Sequence, residues 1–405
     1  MSGVSAVRIL FLNTLFAPHV GGGAEVMVME QAHGLQAAGH TVAVAALGPE
    51  AGTQQAIIDG IPVYRVGQQN RYFHFGPHRP PMVERLLWHW RDRDNPAIEA
   101  PLREVLRDFR PDVVSCHNLA GWSIAAWRII HSEGITIVQV LHDQYLLCAK
   151  STMFRGNHVC QRQCLDCRVL RSQHRQASAM VDGVVGVSSF ILDKLVGNGY
   201  FQNARVRETI LNARSGGLPL SHVTQPHRNY TGIRFGFIGT LAPNKGIELL
   251  LAAFTKLNLP DAELLIAGRG SSDYESSLRT DYNHTSIKFL GYVKPAEFFP
   301  LIDMSVVPSL WNDTLPGVVF ESLGFGVPVI GSMRGGIPEM IVQGQNGFLF
   351  DPDRHGALEN LLSMVAGKPD ILDDMRKAAV QSAGRFFDYH GWIVRYEALY
   401  RTLCP

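Results

Sequence analysis

Nowhere in the chain do about 18 apolar residues run uninterrupted, and that absence excludes a membrane-spanning helix and leaves only surface association with a bilayer. An excess of either charge is missing too, because 37 basic and 36 acidic residues give a net charge of +1. Bulk electrostatics therefore give no reason to bind nucleic acid, and any anionic partner has to be argued from local sites. A signal peptide is not expected. The first apolar run, Val7 to Leu12, is short, contains Arg8 and enters a polar loop without a small-residue cleavage site, so it reads as a strand. No repeat of 20 to 50 residues is visible, which argues against a solenoid. Cysteine is scarce, yet four of the six (Cys148, Cys160, Cys164, Cys167) crowd into one short segment. The expected location is the cytoplasm, with peripheral association at the inner face of a membrane left open.

With 405 residues there is material for two domains or more. Residues 7 to 12 read as a strand, followed by the loop TLFAPHVGGGAE, a helical segment ending at Gly39, and the strand TVAVAAL. Strand, glycine-rich loop, helix, strand is the opening of a doubly wound parallel sheet. Its loop delivers backbone N–H groups to a helix N-terminus, which suits phosphate, so Gly22 and Gly23 are candidate ligand contacts. A tight turn needing positive φ explains these glycines equally well, and the GxGxxG spacing of dinucleotide folds is absent.

Residues 66 to 100 interrupt the alternation. Within MVERLLWHWRDRD, Leu86, Leu87 and Trp90 can form an apolar helix face flanked by Arg85, Arg91 and Arg93. A stripe of this size is expected to pack on its own domain, with a membrane-surface or acceptor-binding element as the alternative. PDVVSCHN and ITIVQVLHD then read as strands whose ends carry His117 with Asn118 and His142 with Asp143, where one histidine can meet substrate. Loop composition around residues 212 to 228 marks a domain boundary. Beyond it IRFGFIG, AELLIAGRG and IKFLGYV continue a second doubly wound sheet.

The chain is organised around residues 307 to 339. A strand over Met304 to Val307 enters a polar loop, Pro316 opens a short helix carrying Glu321, and that helix stops at Gly324 and Gly326. A strand over Val327 to Ile330 and a helix start near Pro338 follow. Ligands in open parallel sheets bind where strand ends meet helix N-termini, so Asp313, Glu321, Arg334, Gly335 and Gly336 should converge on one crevice.

Gly239, Lys245-Gly246, the AGRG at 267 to 270, FLGYV at 289 to 293, and Pro308-Ser309 through Glu339 stand in an order and spacing that resembles the retaining glycosyltransferases of family 4. The N-terminal PxxGGGAE, VSSF, Asn212 and the closing aromatic helix are similar to that family as well. The resemblance spans nearly the entire chain. It implies the GT-B fold, two Rossmann-like domains facing a cleft, with residues 1–213 for the acceptor, 214–384 for the nucleotide sugar, and 385–405 as a helix packing back on the first domain. It implies further that Lys245 stabilises the departing diphosphate, that Glu321 clamps the ribose as the second acid of a Glu-x7-Glu pattern, and that His117 stabilises the reacting centre. Asp313 takes the first acid position, and Thr240 stands where many members carry an arginine, a role open to Arg269 or Arg334. Tyr292 and Val293 would present backbone to the base, and Leu315, Gly317 and Val318 would line the donor site. Retention would use front-face attack, with the leaving phosphate taking the acceptor's proton and no catalytic metal. The partners implied are a nucleotide sugar and a glycan or lipid-linked acceptor, as in cell-surface polysaccharide or glycolipid synthesis. A GT-B epimerase and a non-catalytic nucleotide-sugar-binding scaffold are the alternatives.

The cysteines are spaced x11, x3 and x2. In a reducing compartment four thiolates suit a structural tetrahedral zinc, ahead of free thiols or a redox pair. The same segment carries Lys150, Arg155, Arg162, Arg168, Arg171 and Arg175, either a solvated face or a surface for a phosphorylated lipid.

Overall fold

A computed structural model describes residues 6–76, 80–219 and 232–404. Of the proposed boundary loop, residues 220–228 lie outside the described residues. The chain forms two compact units, one of residues 1–153, 161–214 and 389–405, the other of residues 154–160 and 215–388.

The first unit contains β1 (Arg8–Leu12), α1 (Gly23–Ala37), β2 (Thr41–Gly48), β3 (Thr53–Ile58), β4 (Ile61–Gly67), α2 (Met82–Asp92), α3 (Glu99–Phe109), β5 (Val113–Cys116), α4 (Ala125–Ser132) and β6 (Thr136–Leu141). The hairpin of β7 (Phe154–Arg155) and β8 (His158–Val159) belongs to the second unit. The first unit continues with α5 (Leu165–Leu170), α6 (His174–Ala177), β9 (Gly183–Gly186), α7 (Ser189–Gly197) and β10 (Val206–Thr209). Its sheet runs β10-β9-β6-β5-β1-β2-β4-β3, parallel except for the edge strand β3. Apart from partly buried Arg8 and Thr136 at their starts, β1, β5 and β6 are buried along their lengths, as expected of strands covered on both faces. The β3–β4 turn is Asp59-Gly60 with both φ positive, the two-residue hairpin signal.

The second unit contains β11 (Ile233–Ile238), α8 (Ile247–Leu257), β12 (Ala262–Ala267), α9 (Ser272–Asp281), β13 (Ile287–Gly291), α10 (Pro295–Phe298), β14 (Met304–Val307), α11 (Gly317–Gly324), β15 (Val329–Ser332), β16 (Gly347–Phe350), α12 (Ala357–Gly367) and α13 (Ile371–Ala383). All its strands are parallel, in the order β13-β12-β11-β14-β15-β16. Its core joins apolar strand residues such as Phe235, Leu264 and Ile330 to the inner faces of α8 and α12.

The last helix, α14 (Tyr389–Leu403), is built into the first unit. Tyr389 Oη donates to the Glu30 carbonyl at 2.6 Å, Tyr400 Oη to Ser115 Oγ at 2.9 Å, and Glu397 meets His40 at 2.9 Å. Gly183 has no room for a Cβ, which would stand 2.6 Å from Leu403. Among the described residues no helix is long and apolar enough to cross a membrane.

Two details differ from expectation. The strand read as Val327 to Ile330 begins two residues later, because Pro328 has no N–H for the ladder. The helix expected near Pro338 is a single 3-10 turn, Ile337–Glu339.

Candidate functional site

Each sheet has one topological switch point, where connections leave in opposite directions, and chemistry-bearing residues gather at both.

In the first unit the switch lies between β1 and β5. A pocket of about 480 Å³ opens there. It is lined by Thr14, Asn118, Ala120, Asp143, Tyr145, Ala149, Lys150 and Ser151 at strand ends and loops, by Glu25 in the first turn of α1, and by His74, Phe75, Arg85, Trp88 and His89 from α2 and the segment before it. Thr14 Oγ1 donates to the Asn118 and Ala120 carbonyls, and Glu25 Oε2 accepts the Gly22 N–H at 2.8 Å, which fixes the start of α1. Gly22 is extended (φ −173°), and a Cβ added at Gly23 would touch nothing within 4 Å. Neither glycine is required by a turn, so the turn-only explanation of these two positions fails.

His117 follows β5 but is 3% exposed. Its Nδ1 lies 2.8 Å from His142 Nε2 with the rings stacked, and its Nε2 lies 3.2 Å from Ser115 Oγ. Burial, then the neighbouring His142, hold His117 well below the ordinary histidine range, and burial lowers His142 to about 4. Both rings are therefore neutral at pH 7. Burial likewise raises Asp143 to about 6, against the Tyr145 N–H that donates to it.

Beneath the pocket is a group that sequence reading missed. Asp92 is fully buried and accepts from Tyr145 Oη at 2.7 Å and from the Gly121 N–H at 2.6 Å, with Arg171 Nη2 at 3.7 Å. Arg171, expected on a basic surface, is 2% exposed and lies over the Tyr145 ring. A buried arginine needs a carboxylate partner, and this one stands 79 residues away in sequence, beyond the reach of any local pattern.

In the second unit the switch lies between β11 and β14. Lys245, in the loop after β11, places Nζ 2.6 Å from Asp313 Oδ2, in the loop after β14. Lys245 also lies 5.1 Å from the Trp311 ring centroid. The two loops approach closely, since a Cβ at Gly246 (φ +73°) would sit 1.8 Å from the Pro308 carbonyl oxygen. The α8 and α11 N-termini carry no side-chain cap. The other expected residues line the same C-terminal sheet edge. Thr240 follows β11, Arg269 follows β12, Tyr292 and Val293 follow β13, and Leu315, Gly317, Val318 and Glu321 follow β14. Arg269 lies against Gly291 and pairs with Glu275 at 3.5 Å, while Thr240 and Tyr292 are exposed. Arg334 is engaged by Asp353 at 2.6 Å.

The zinc expectation is not supported. Among the described residues no group of three or more His, Cys, Asp or Glu is placed to hold a metal ion, and Cys148, Cys160, Cys164 and Cys167 form no disulfide. Cys148 and Cys167 instead share a hydrogen bond, which lowers Cys148 to about 5 and raises Cys167. The expectation that Leu86, Leu87 and Trp90 face the core is overturned too, since all three are exposed and Trp88 is buried in their place.

Two parallel α/β sheets with paired switch-point sites define a GT-B glycosyltransferase architecture, and comparison with known proteins agrees. A family model for group 1 glycosyl transferases matches residues 232–366, and one for glycosyltransferase family 4 matches residues 21–208. The chain belongs to the GT-B glycosyltransferases of the family 4 type. An uncharacterised 42.6 kDa protein of the cps region of Klebsiella pneumoniae is 26% identical over 82% of this chain and 87% of that protein. A Mycobacterium tuberculosis glycogen synthase is 25% identical over 95% and 92%. Sucrose-phosphate synthase from Thermosynechococcus elongatus has a TM-score of 0.77 at 17% identity, covering 98% of both chains. The Anabaena protein HepE, solved with UDP-glucose, scores 0.68 at 18% identity, covering 98% of this chain and all of the other.

Proposed function

We propose that the protein is a retaining hexosyltransferase that moves a sugar from a nucleoside diphosphate sugar to a hydroxyl of a glycan or lipid-linked acceptor, in the synthesis of a cell-surface polysaccharide or glycolipid at the cytoplasmic face of a membrane. The observation that carries this reading is Lys245, held at the second switch point beside two uncapped helix N-termini. That combination is an anion site suited to a diphosphate. The UDP-glucose bound in HepE and the cps-region relative support the donor class and the product class.

Cleavage of the sugar–phosphate bond builds negative charge on the leaving diphosphate. A charged contact from Lys245 to that oxygen contributes about 1.5 to 3 kcal/mol, and it helps the reaction because it strengthens as the bond breaks. Glu321 on α11 accepts hydrogen bonds from the vicinal ribose hydroxyls. Backbone near Tyr292 and Val293 reads the base, with Leu315, Gly317 and Val318 lining the donor. Asp313, paired with Lys245 at 2.6 Å, faces the donor sugar. The acceptor hydroxyl attacks from the side the diphosphate leaves, and the phosphate oxygen takes its proton. His117, neutral in its buried pair with His142, acts through its ring dipole near the reacting sugar and not as a cation.

A thermal-shift panel of nucleoside diphosphates, followed by donor turnover with the base identified, tests the reading. One diphosphate should raise the melting temperature, and Lys245→Ala and Glu321→Ala should each lower donor turnover, Lys245→Ala by about 100-fold. Binding with neither hydrolysis nor transfer across donors and acceptors would mean a scaffold. Diphosphate and an epimerised sugar released without acceptor would mean an epimerase.

A further inference from the structure

We propose that α2 is an interfacial anchor whose outward face, Met82, Val83, Leu86, Leu87 and Trp90, inserts into the headgroup boundary of an anionic lipid bilayer. Placing a lipid-linked acceptor at the adjoining pocket rests on the function proposed above; the anchoring itself does not.

The helix is attached the wrong way round for a core element. At about 100° per residue those five side chains fall within an arc of about 140°. Trp88 and Asp92, the buried residues of α2, lie on the opposite side. The five outward residues are between 43% and 80% exposed. Single exposed leucines need no explanation, but five contiguous apolar side chains on one helix face do. The orientation is pinned by specific bonds. Trp88 Nε1 donates to the Tyr72 carbonyl at 3.1 Å, Asn70 Nδ2 donates to the Trp88 carbonyl at 3.1 Å, and Asp92 is locked among Tyr145, Gly121 and Arg171.

Charge selects the occupant. Arg91 and Arg93 border the apolar face while Arg85 turns toward the pocket, and of the acids nearby Asp92 is buried and Asp94 is paired with Arg128, which leaves Glu84. The Arg93 guanidinium stacks 4.4 Å from the Trp90 ring centroid, which sets a cation and an amphipathic ring at one level, as at a lipid headgroup boundary. A second apolar pair, Leu165 and Val169 at 74% and 52% exposure, lies on α5 one turn apart with Arg168 between them in sequence. Arg171, just past α5, ties that helix to α2 through Asp92. Arg85, Trp88 and His89 of α2 also line the pocket. A docked α2 therefore holds the pocket mouth beside the bilayer, where the headgroup of a lipid-linked acceptor lies.

Flotation of the full chain with vesicles tests this. Phosphatidylcholine mixed with phosphatidylglycerol should bind the protein and blue-shift its tryptophan emission, binding should weaken as salt rises, and phosphatidylcholine alone should bind less. The double variant Leu86→Asp/Trp90→Asp should lose about tenfold or more in vesicle affinity, while Trp90→Phe should keep most of the binding and lose most of the shift. Failure of the wild-type chain to float with phosphatidylglycerol vesicles, or equal flotation of the double variant, overturns the proposal. So does a wild-type dimer that the double variant dissolves without any vesicle binding, since the face then pairs with a second copy. Nucleotide thermal shifts in vesicle-free buffer should match between wild type and double variant. A failed flotation with intact shifts thus removes the anchor and leaves the donor site standing, and absent shifts with intact flotation do the reverse.

Discussion

The two switch points share a topology and differ in material. In the first unit the crevice is backed by desolvated titratable groups, with His117 and His142 stacked, Asp143 raised, and Asp92 buried on Arg171. The second unit offers a half-exposed lysine, an acid at its tip, and glycines that let loops touch backbone to backbone. A diphosphate brings its own charge and needs donors that are already oriented, which loops and helix ends supply. An acceptor hydroxyl brings none, and a shaped, partly dry pocket with neutral rings suits it better.

If that contrast is right, the glycines of the two crevices should respond oppositely to alanine. Gly246→Ala forces a Cβ to within 1.8 Å of the Pro308 oxygen at positive φ, and should destabilise the second unit by about 3 kcal/mol or more. Gly22→Ala meets only Glu25 at 3.8 Å in extended backbone, and should change stability by less than about 1 kcal/mol while lowering transfer. Chemical denaturation beside activity separates them, and equal stability losses would break the comparison. Next in size, Lys245→Ala should lower kcat about 100-fold with the fold intact, checked by donor turnover at saturating acceptor.

The pH response should divide the units as well. His89 and His142 are lowered to about 4 by burial, and His117 and His174 lie well below the ordinary value of 6.5 for the same reason. A histidine depressed in the folded state contributes stability that is full above the unfolded value of 6.5 and is lost as pH falls through that value toward the folded one, about 4 for His89 and His142. Asp92 and Asp143, raised to about 6, act in the opposite sense, their contribution being present at low pH and lost as pH rises through about 6. The histidines outnumber them. Hydrogen exchange at pH 7 and pH 5 should find the first unit losing protection first, and simultaneous loss in both units would count against the contrast.

How much of this could be read from the sequence follows the same division. Strands β1, β2, β5, β6 and β14 came from uninterrupted apolar runs bounded by loop residues, because a covered parallel strand leaves little room for polar side chains. The Lys245–Asp313 encounter was half visible, since both positions lay at strand-to-helix loops. Sequence fixes such loops by their glycines and prolines but says nothing of an ion pair between them. The buried network of Asp92, Tyr145 and Arg171 was hidden, because each residue alone looks like a surface group. For α2 the period was right and the side was wrong. Periodicity defines an apolar arc, and only the distant Tyr72, Asn70 and Gly121 decide which face is turned inward. Cysteine spacing is a weaker guide, because x3 and x2 gaps permit tetrahedral ligation without requiring it, and among the described residues no metal-holding group is found.

The smallest expected effect probes the second crevice most finely. Asp313, 2.6 Å from Lys245, neutralises part of the charge that the proposed diphosphate would use. Asp313→Asn keeps the shape and removes the carboxylate's charge, so the anion site becomes more positive. Nucleoside diphosphate affinity should rise about threefold to tenfold, on the order of 1 kcal/mol for one partly exposed charge pair. If Asp313 also orients the donor sugar, transfer should fall in the same variant, so that ground-state binding and turnover move in opposite directions. Calorimetry with the diphosphate and steady-state kinetics with the full donor read the two separately. Weaker diphosphate binding in Asp313→Asn would mean that the carboxylate positions Lys245 for the phosphates more than it competes with them.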